Sequence, residues 1–307
     1  MTKTNIALAA LVLAFAGTGC GDEKASKDVA PSATTLKDST PKAAKALTFE
    51  VTKAGSKVGF DMEAPVEKIR GRVEDAATGK IDIDLTDVTK TTGHLYLDIG
   101  GLELFQRKAD DDGEFGEEEK VEKQNEHARQ WLEIGPCDSD KVDDAEKCKA
   151  MVKKNRNVEF VITKVTTDTK DVTQLTGDER KVIATVEGDF LLHQKKTKKT
   201  AKLSITFKMK GDKPESVHVE TVEPFEVSLE EHEVKPREAF GVLAKATLDS
   251  LGKKVGKEAA VTVSFDAQAQ AQGATSHAKD TEGGDVEGTK GGDAQGTESN
   301  KPAKAGD

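Results

Sequence analysis

The chain is short of apolar residues, with 35% of its 307 residues hydrophobic against 33% charged. That balance excludes one globule using every residue, so part of the chain is expected to be tail. Positive charge is in deficit as well. A formal net charge of -10 with a pI near 5.3 argues against nucleic acid, or an anionic membrane surface held nonspecifically, as a partner. Long hydrophobic runs are missing, since the apolar stretch Ile6 to Ala16 is too short to cross a bilayer as a helix. Catalytic signatures are missing too. There is no G-x-S-x-G elbow, Cys-His signature, phosphate loop or dinucleotide fingerprint. His94, His127, His193, His218, His232 and His277 have no metal spacing. Asp110-Asp111-Asp112-Gly113 resembles part of a calcium loop, but Lys108 stands where the first acidic ligand belongs, so it reads as a solvated acidic loop. Neither an enzyme nor a metal or cofactor is expected on these grounds.

Cysteine is scarce and its count is odd: Cys20, Cys137 and Cys148. The N-terminus sets one aside. Lys3, the apolar run and the small residues Gly17-Thr18-Gly19 before Cys20 read as a secretory signal peptide. Its ending resembles the bacterial lipobox, with Gly17 where leucine is usual, and implies lipidation of Cys20. Cleavage after Ala14-Phe15-Ala16 is the alternative, and it would release a soluble protein with a stray thiol. The expectation is an exported, membrane-anchored lipoprotein facing the periplasm or cell surface. Gly21, in place of the aspartate that retains some lipoproteins at the inner membrane, favours the outer membrane. The chain then divides into a signal peptide (1–19), a polar tether (20–45), one domain (46–267) and a Gly/Ala/Gln-rich tail (268–307). The two polar segments are expected to be disordered because they cannot repay their ordering entropy.

Within the domain the clearest pattern runs from Val182 to Met209. Val182, Ala184, Val186, Phe190 and Leu192 share one parity, and Leu203, Ile205, Phe207 and Met209 share another, with Gln194 to Lys199 read as a basic turn between them. Similar runs are Leu47–Val51, Val58–Met62, Ile69–Val73, Ile81–Leu85, Leu95–Ile99, Val158–Val165, Val217–Leu229 with a break at Pro224, and Val261–Phe265. Gly79 and Gly93 are expected at turns, and the alternation stops after Gly101-Leu102-Glu103-Leu104. Helical spacing predicts a capping helix over 117–133 and a second one from Arg237 to Ser250. The fold class expected is all-β: a closed antiparallel eight-stranded lipocalin-like barrel with one or two short capping helices.

A series of short motifs adds a resemblance. Ser56-Lys57-Val58-Gly59-Phe60, Ile69-Arg70-Gly71-Arg72-Val73, Gly79-Lys80-Ile81, Asn125-Glu126-His127-Ala128-Arg129, Asn157-Val158-Glu159-Phe160, Gly188-Asp189-Phe190-Leu191-Leu192-His193 and Phe240-Gly241 follow in order over nearly all of 46–267. In this the domain resembles the YceI-like family of lipocalin-like barrels that bind polyisoprenoid lipids in bacterial envelopes. The family usually follows the hairpin histidine with glycine and a short turn, whereas Gln194 stands here. The resemblance implies a polyisoprenoid or similar long-chain lipid as ligand. Phe60, Leu97, Phe160, Phe190, Phe207 and Phe265 are candidates to line its cavity, each being on the apolar parity of its strand. The alternatives are a solid-cored envelope protein acting by surface contacts and, further off, an enzyme. The segment 135–155 reads as an insertion. It holds Cys137 and Cys148, expected to form a disulfide in an oxidising compartment, with two free thiols as the rival reading.

Overall fold

The computed structural model describes residues 35–38, 41–64, 67–137, 144–234 and 257–270. The signal peptide, Cys20, the stretch Arg237 to Ser250 and the tail beyond residue 270 lie outside the described residues. The strands are β1 Leu47–Val51, β2 Lys57–Ala64, β3 Glu67–Glu74, β4 Ala77–Ile83, β5 Thr92–Asp98, β6 Glu103–Lys108, β7 Asn157–Thr166, β8 Glu179–Leu192, β9 Lys195–Lys210, β10 Lys213–Thr221, β11 Phe225–Ser228 and β12 Glu258–Ala269. Two helices, α1 Glu122–Trp131 and α2 Ala145–Arg156, separate β6 from β7.

Several of these strands are halves of one bent stave. β1 and β2 pair with the same side of β12, and β10 and β11 pair with its other side. β4 and β3 in turn pair with β1 and β2, and β5 and β6 with β4 and β3. Joined in this way, the strands form eight antiparallel staves in chain order, and the pairing of Phe49 with Ala269 closes the ring. This is the closed barrel that the alternation predicts. Ser56 stitches two of the bends together: its hydroxyl donates to Lys53 O and accepts from Ala76 N and Ala77 N. Beyond β5 and β7, which pair, β6 continues along β3, and α1 packs against it. Asn125 of α1 fixes that contact. Its side chain accepts from Leu104 N at 2.8 Å and donates to Leu104 O at 3.0 Å, as a neighbouring strand would.

Inward side chains form two apolar regions. One surrounds Phe49, Val172, Val182, Phe207 and Val217, all nearly inaccessible. The other, toward α1, includes Met62, Val73, Ile99, Leu104, Ile134 and Val158.

Five expectations are corrected by the structure. Gly79 and Gly93 are not at turns but inside the paired strands β4 and β5, opposite Leu95 and Ile81. Gly79 has φ 129, and a Cβ there would meet His94 O at 2.2 Å, so this close backbone approach admits glycine alone. The alternation does not end at Leu104, because β6 continues to Lys108; the buried polar Gln106 takes an inward position and hides the period. The capping helix starts at Glu122 rather than 117, since Glu119 is held extended in a bridge to Gln106. The basic segment 194–199 is no turn. His193 and Gln194, with φ 50 and 61, make a two-residue turn, and Lys195 to Lys199 begin β9. Polar residues on both faces of that stretch left the period invisible. Finally, the domain reaches past the limits expected for it at both ends. Gln268 and Ala269 belong to β12, and Leu36 of the tether is buried on the outer wall against Val161 and Leu191. Leu36 N donates to the carboxylate of Glu159, which also receives Asn157 Nδ2 and lies 3.0 Å from His94 Nε2.

Candidate functional site

The barrel encloses a cavity of about 300 Å³. One water needs roughly 10–15 Å³ in such a measure, so the space is that of an organic ligand, yet its wall offers water few partners. The wall is overwhelmingly apolar, built from inward positions of every stave, from Ala128 and Trp131 of α1 and from Leu132 just after it.

All six lining candidates face this cavity, but they are of two kinds. Phe60, Leu97, Phe160 and Phe190 point inward yet are only half-buried, which for an inward side chain means surface turned to the empty interior. Phe207 and Phe265 keep only 1% and 6% of their surface and pack among Val182, Val217 and Phe49, so they form a packed end. Arg180 sits near that end and donates to Val172 O and Gly177 O. Two of the half-buried rings rest on glycine. A Cβ at Gly71 would lie 2.1 Å from Phe60 Cε1, and one at Gly188 would lie 2.3 Å from Phe160 Cζ, so each ring lies flat against bare backbone of a neighbouring strand.

Polar side chains on the wall are few: Thr78, Thr91, Tyr96 and Glu159 lie between β4 and β7, and three others lie elsewhere. Gln124 and His127 come from the helix and Lys199 from β9. Lys199 was placed in a turn by the sequence pattern, and its inward parity with Ala201 and Leu203 is the signal that finds it. Its Nζ donates to Glu231 Oε2 at 2.9 Å. His232 is fully buried beside it, with Nδ1 donating to Leu192 O and Thr197 Oγ1 at 3.3 Å from Nε2. Burial holds its pKa below the usual histidine range, and the charge of Lys199 adds to the effect.

A buried polar junction lies at the end of α1. His193 Nε2 lies 3.0 Å from Glu133 Oε2, to which Asn155 Nδ2 also donates, and Gln194 Nε2 donates to Asn155 Oδ1 at 2.7 Å. Glu133 ends α1 in the left-handed region (φ 53), with its own N–H on Gln130 O and that of Ile134 on Arg129 O. That position usually calls for glycine, and the bonds of the carboxylate hold glutamate there. The Cys137 and Cys148 sulfurs are joined, which ties the chain after α1 to the first turns of α2.

Fold and site together define an up-and-down antiparallel barrel that encloses an apolar cavity. Among solved structures the chain is similar to a polyisoprenoid-binding domain from Saccharophagus degradans described as implicated in plant cell wall breakdown, with 13% identity, a TM-score of 0.42, and coverage of 73% of this chain and 99% of that one. The fold assignment rests on the strand pairing rather than on that likeness. No family model matches the sequence, and no curated protein does.

Proposed function

We propose that this protein is an exported, lipid-anchored carrier that holds a long apolar chain, of polyisoprenoid type, inside its barrel. The observation that carries this reading is the cavity itself, walled by half-buried aromatic and aliphatic side chains. A solid-cored barrel would leave no such space, which favours a carrier over a purely structural protein. Burial is worth about 0.8 kcal/mol per CH₂, so one five-carbon unit contributes on the order of 4 kcal/mol. Association costs about 4–15 kcal/mol, so a few units are needed before binding is firm. A series of prenols of increasing length should therefore bind progressively more tightly until the packed end at Phe207 is reached. Solvent extraction of the purified protein followed by mass spectrometry should recover a long-chain lipid. Empty extracts together with affinity that does not vary with chain length would overturn the reading.

The anchor is proposed at Cys20, where the small residues after the apolar run end. Cys20→Ala should move the protein from the membrane to the soluble periplasmic fraction. A wild-type protein already soluble and starting at Gly17 would rule the anchor out.

A further inference from the structure

The inward face of β9 changes character along its length. From the hairpin it reads Lys195, Thr197, Lys199, and then Ala201, Leu203, Ile205, Phe207 and Met209. The first three lie at the α1 end and the rest run to the packed end. Among the described residues of the cavity wall, Lys199 is the one lysine or arginine. Its side chain is only 13% exposed, whereas its partner Glu231 is 54% exposed on the turn that follows β11. The two halves of this ion pair are thus held differently. Lys199 is fixed by its strand to face the cavity, while Glu231 is free to return to water at little expense, since exposed carboxylates gain little from pairing.

Resting on the carrier reading above, we infer that Lys199 is the head-group subsite of the cavity and that the ligand is an amphiphile with an anionic head, carboxylate or phosphate. The head displaces Glu231 from the ammonium of Lys199, and the chain runs down β9 past Leu203 and Ile205 toward Phe207. An anion arriving there exchanges one carboxylate for another and leaves no buried charge unpaired, which is what makes an apolar cavity tolerate it. Gln124 and His127 of α1 also lie on the wall, and the carboxylate on the wall, that of Glu159, is already bonded to Leu36 N and Asn157 Nδ2. An uncharged chain gains nothing from this end of the barrel. The position of Lys199 therefore also sets the direction in which the chain lies in the barrel.

Trp131, the single tryptophan of the chain, lines the cavity and supplies the readout through its fluorescence. The full chain is titrated with three compounds sharing one geranylgeranyl chain: the alcohol, the carboxylic acid and the monophosphate. Wild type should bind the two acids roughly tenfold or more tightly than the alcohol, the usual return of a charge-assisted bond in a dry site. Lys199→Met, which keeps the aliphatic stem, should abolish the difference while holding the alcohol at least as well. Glu231→Gln removes the internal competitor without touching the barrel wall, and should widen the preference for acids, a gain that a merely stabilising ion pair cannot produce. The relative affinity of acid and phosphate decides which head the site takes. Equal binding of all three compounds by wild type, or a preference that survives in Lys199→Met, would overturn the assignment. If none of the three compounds binds, it is the carrier reading that fails and this inference falls with it.

Discussion

Gly71→Ala is the smallest change that tests whether the rings on the cavity wall have room to move. The new Cβ would lie 2.1 Å from both Cε1 and Cζ of Phe60 and 2.8 Å from Cδ1, and these ring atoms are the nearest obstacles. Carbon atoms settle about 3.5–4.0 Å apart, so the ring must withdraw by roughly 1.5 Å, and the side it withdraws to is the cavity. Gly71 has no left-handed backbone to protect, and an alanine there reduces the freedom of the unfolded chain, worth about 0.4–1 kcal/mol. The net effect on stability should then lie within about 1 kcal/mol. Binding should suffer more, because the displaced ring takes the place of one or two CH₂ groups of the ligand, about 1–2 kcal/mol or a factor of roughly 5–30 in affinity. Gly188→Ala is the contrast. Its Cβ meets not only the Phe160 ring but also Val161 O at 2.6 Å, a main-chain atom that cannot swing aside, so it should lose about 1–3 kcal/mol of stability. Urea unfolding without ligand and a prenol titration of each folded variant measure both quantities. If Gly71→Ala loses as much stability as Gly188→Ala and binds as well as wild type, the ring has no free space beside it and the reasoning is wrong.

Further outcomes are expected. The buried His232 has a lowered pKa, so the unfolded chain takes up its proton first; its contribution should be intact above about pH 6.5 and fade as pH falls below that, by at most about 1.4 kcal/mol per pH unit. Urea unfolding between neutral and mildly acidic pH should show the loss in wild type and a shallower slope in His232→Asn. Asp189, held low by Lys196 and then Lys198, acts further down: its contribution is present above the usual aspartate range and is lost as pH falls through its depressed value, a loss absent from Asp189→Asn. Thiol counting under denaturing, non-reducing conditions should find Cys137 and Cys148 both blocked, and Cys148→Ser should lower stability by about 2–3 kcal/mol; two free thiols in periplasmic protein would rule out the bridge. At the junction below α1, Glu133→Ala removes the carboxylate and keeps the left-handed strain, whereas Glu133→Gly removes both, so the alanine variant should be the less stable by about 1 kcal/mol in the same unfolding assay.

The sequence made the barrel legible wherever one face was greasy and the other wet. The inward residues of β8, β12 and the far half of β9 were found by parity alone, whereas in β7 the register shift between Ile162 and Lys164 turns Val165 inward, off the parity of Phe160. It failed where polar side chains point inward. Gln106 hid β6, and Lys195, Thr197 and Lys199 hid the start of β9, because a polar inward residue erases the only signal that alternation carries. Lys199 is among those residues and lines the cavity, so what parity missed includes one of the wall's few polar groups. The buried bonds of Glu133 with His193 and of Leu36 with Glu159 span 60 and 123 residues, and no local pattern foretells such pairs.

The closure of the ring by β1 and β12 also decides how the barrel answers to force. Phe49 faces Ala269, and Gln270 N donates to Thr48 O, so the segments leading into β1 and out of β12 leave the same end of one antiparallel pair. A pull between them loads the hydrogen bonds of this seam one after another, as in a zipper, instead of all together as in shear. The seam runs from Phe49 to Val51 against Ala267 to Ala269 and continues past the bend as Lys57 to Asp61 against Ala260 to Ser264, with Phe265 between the two stretches on the cavity wall. Tension on the two ends would therefore part the barrel lengthwise beside its contents, before any stave had to unfold.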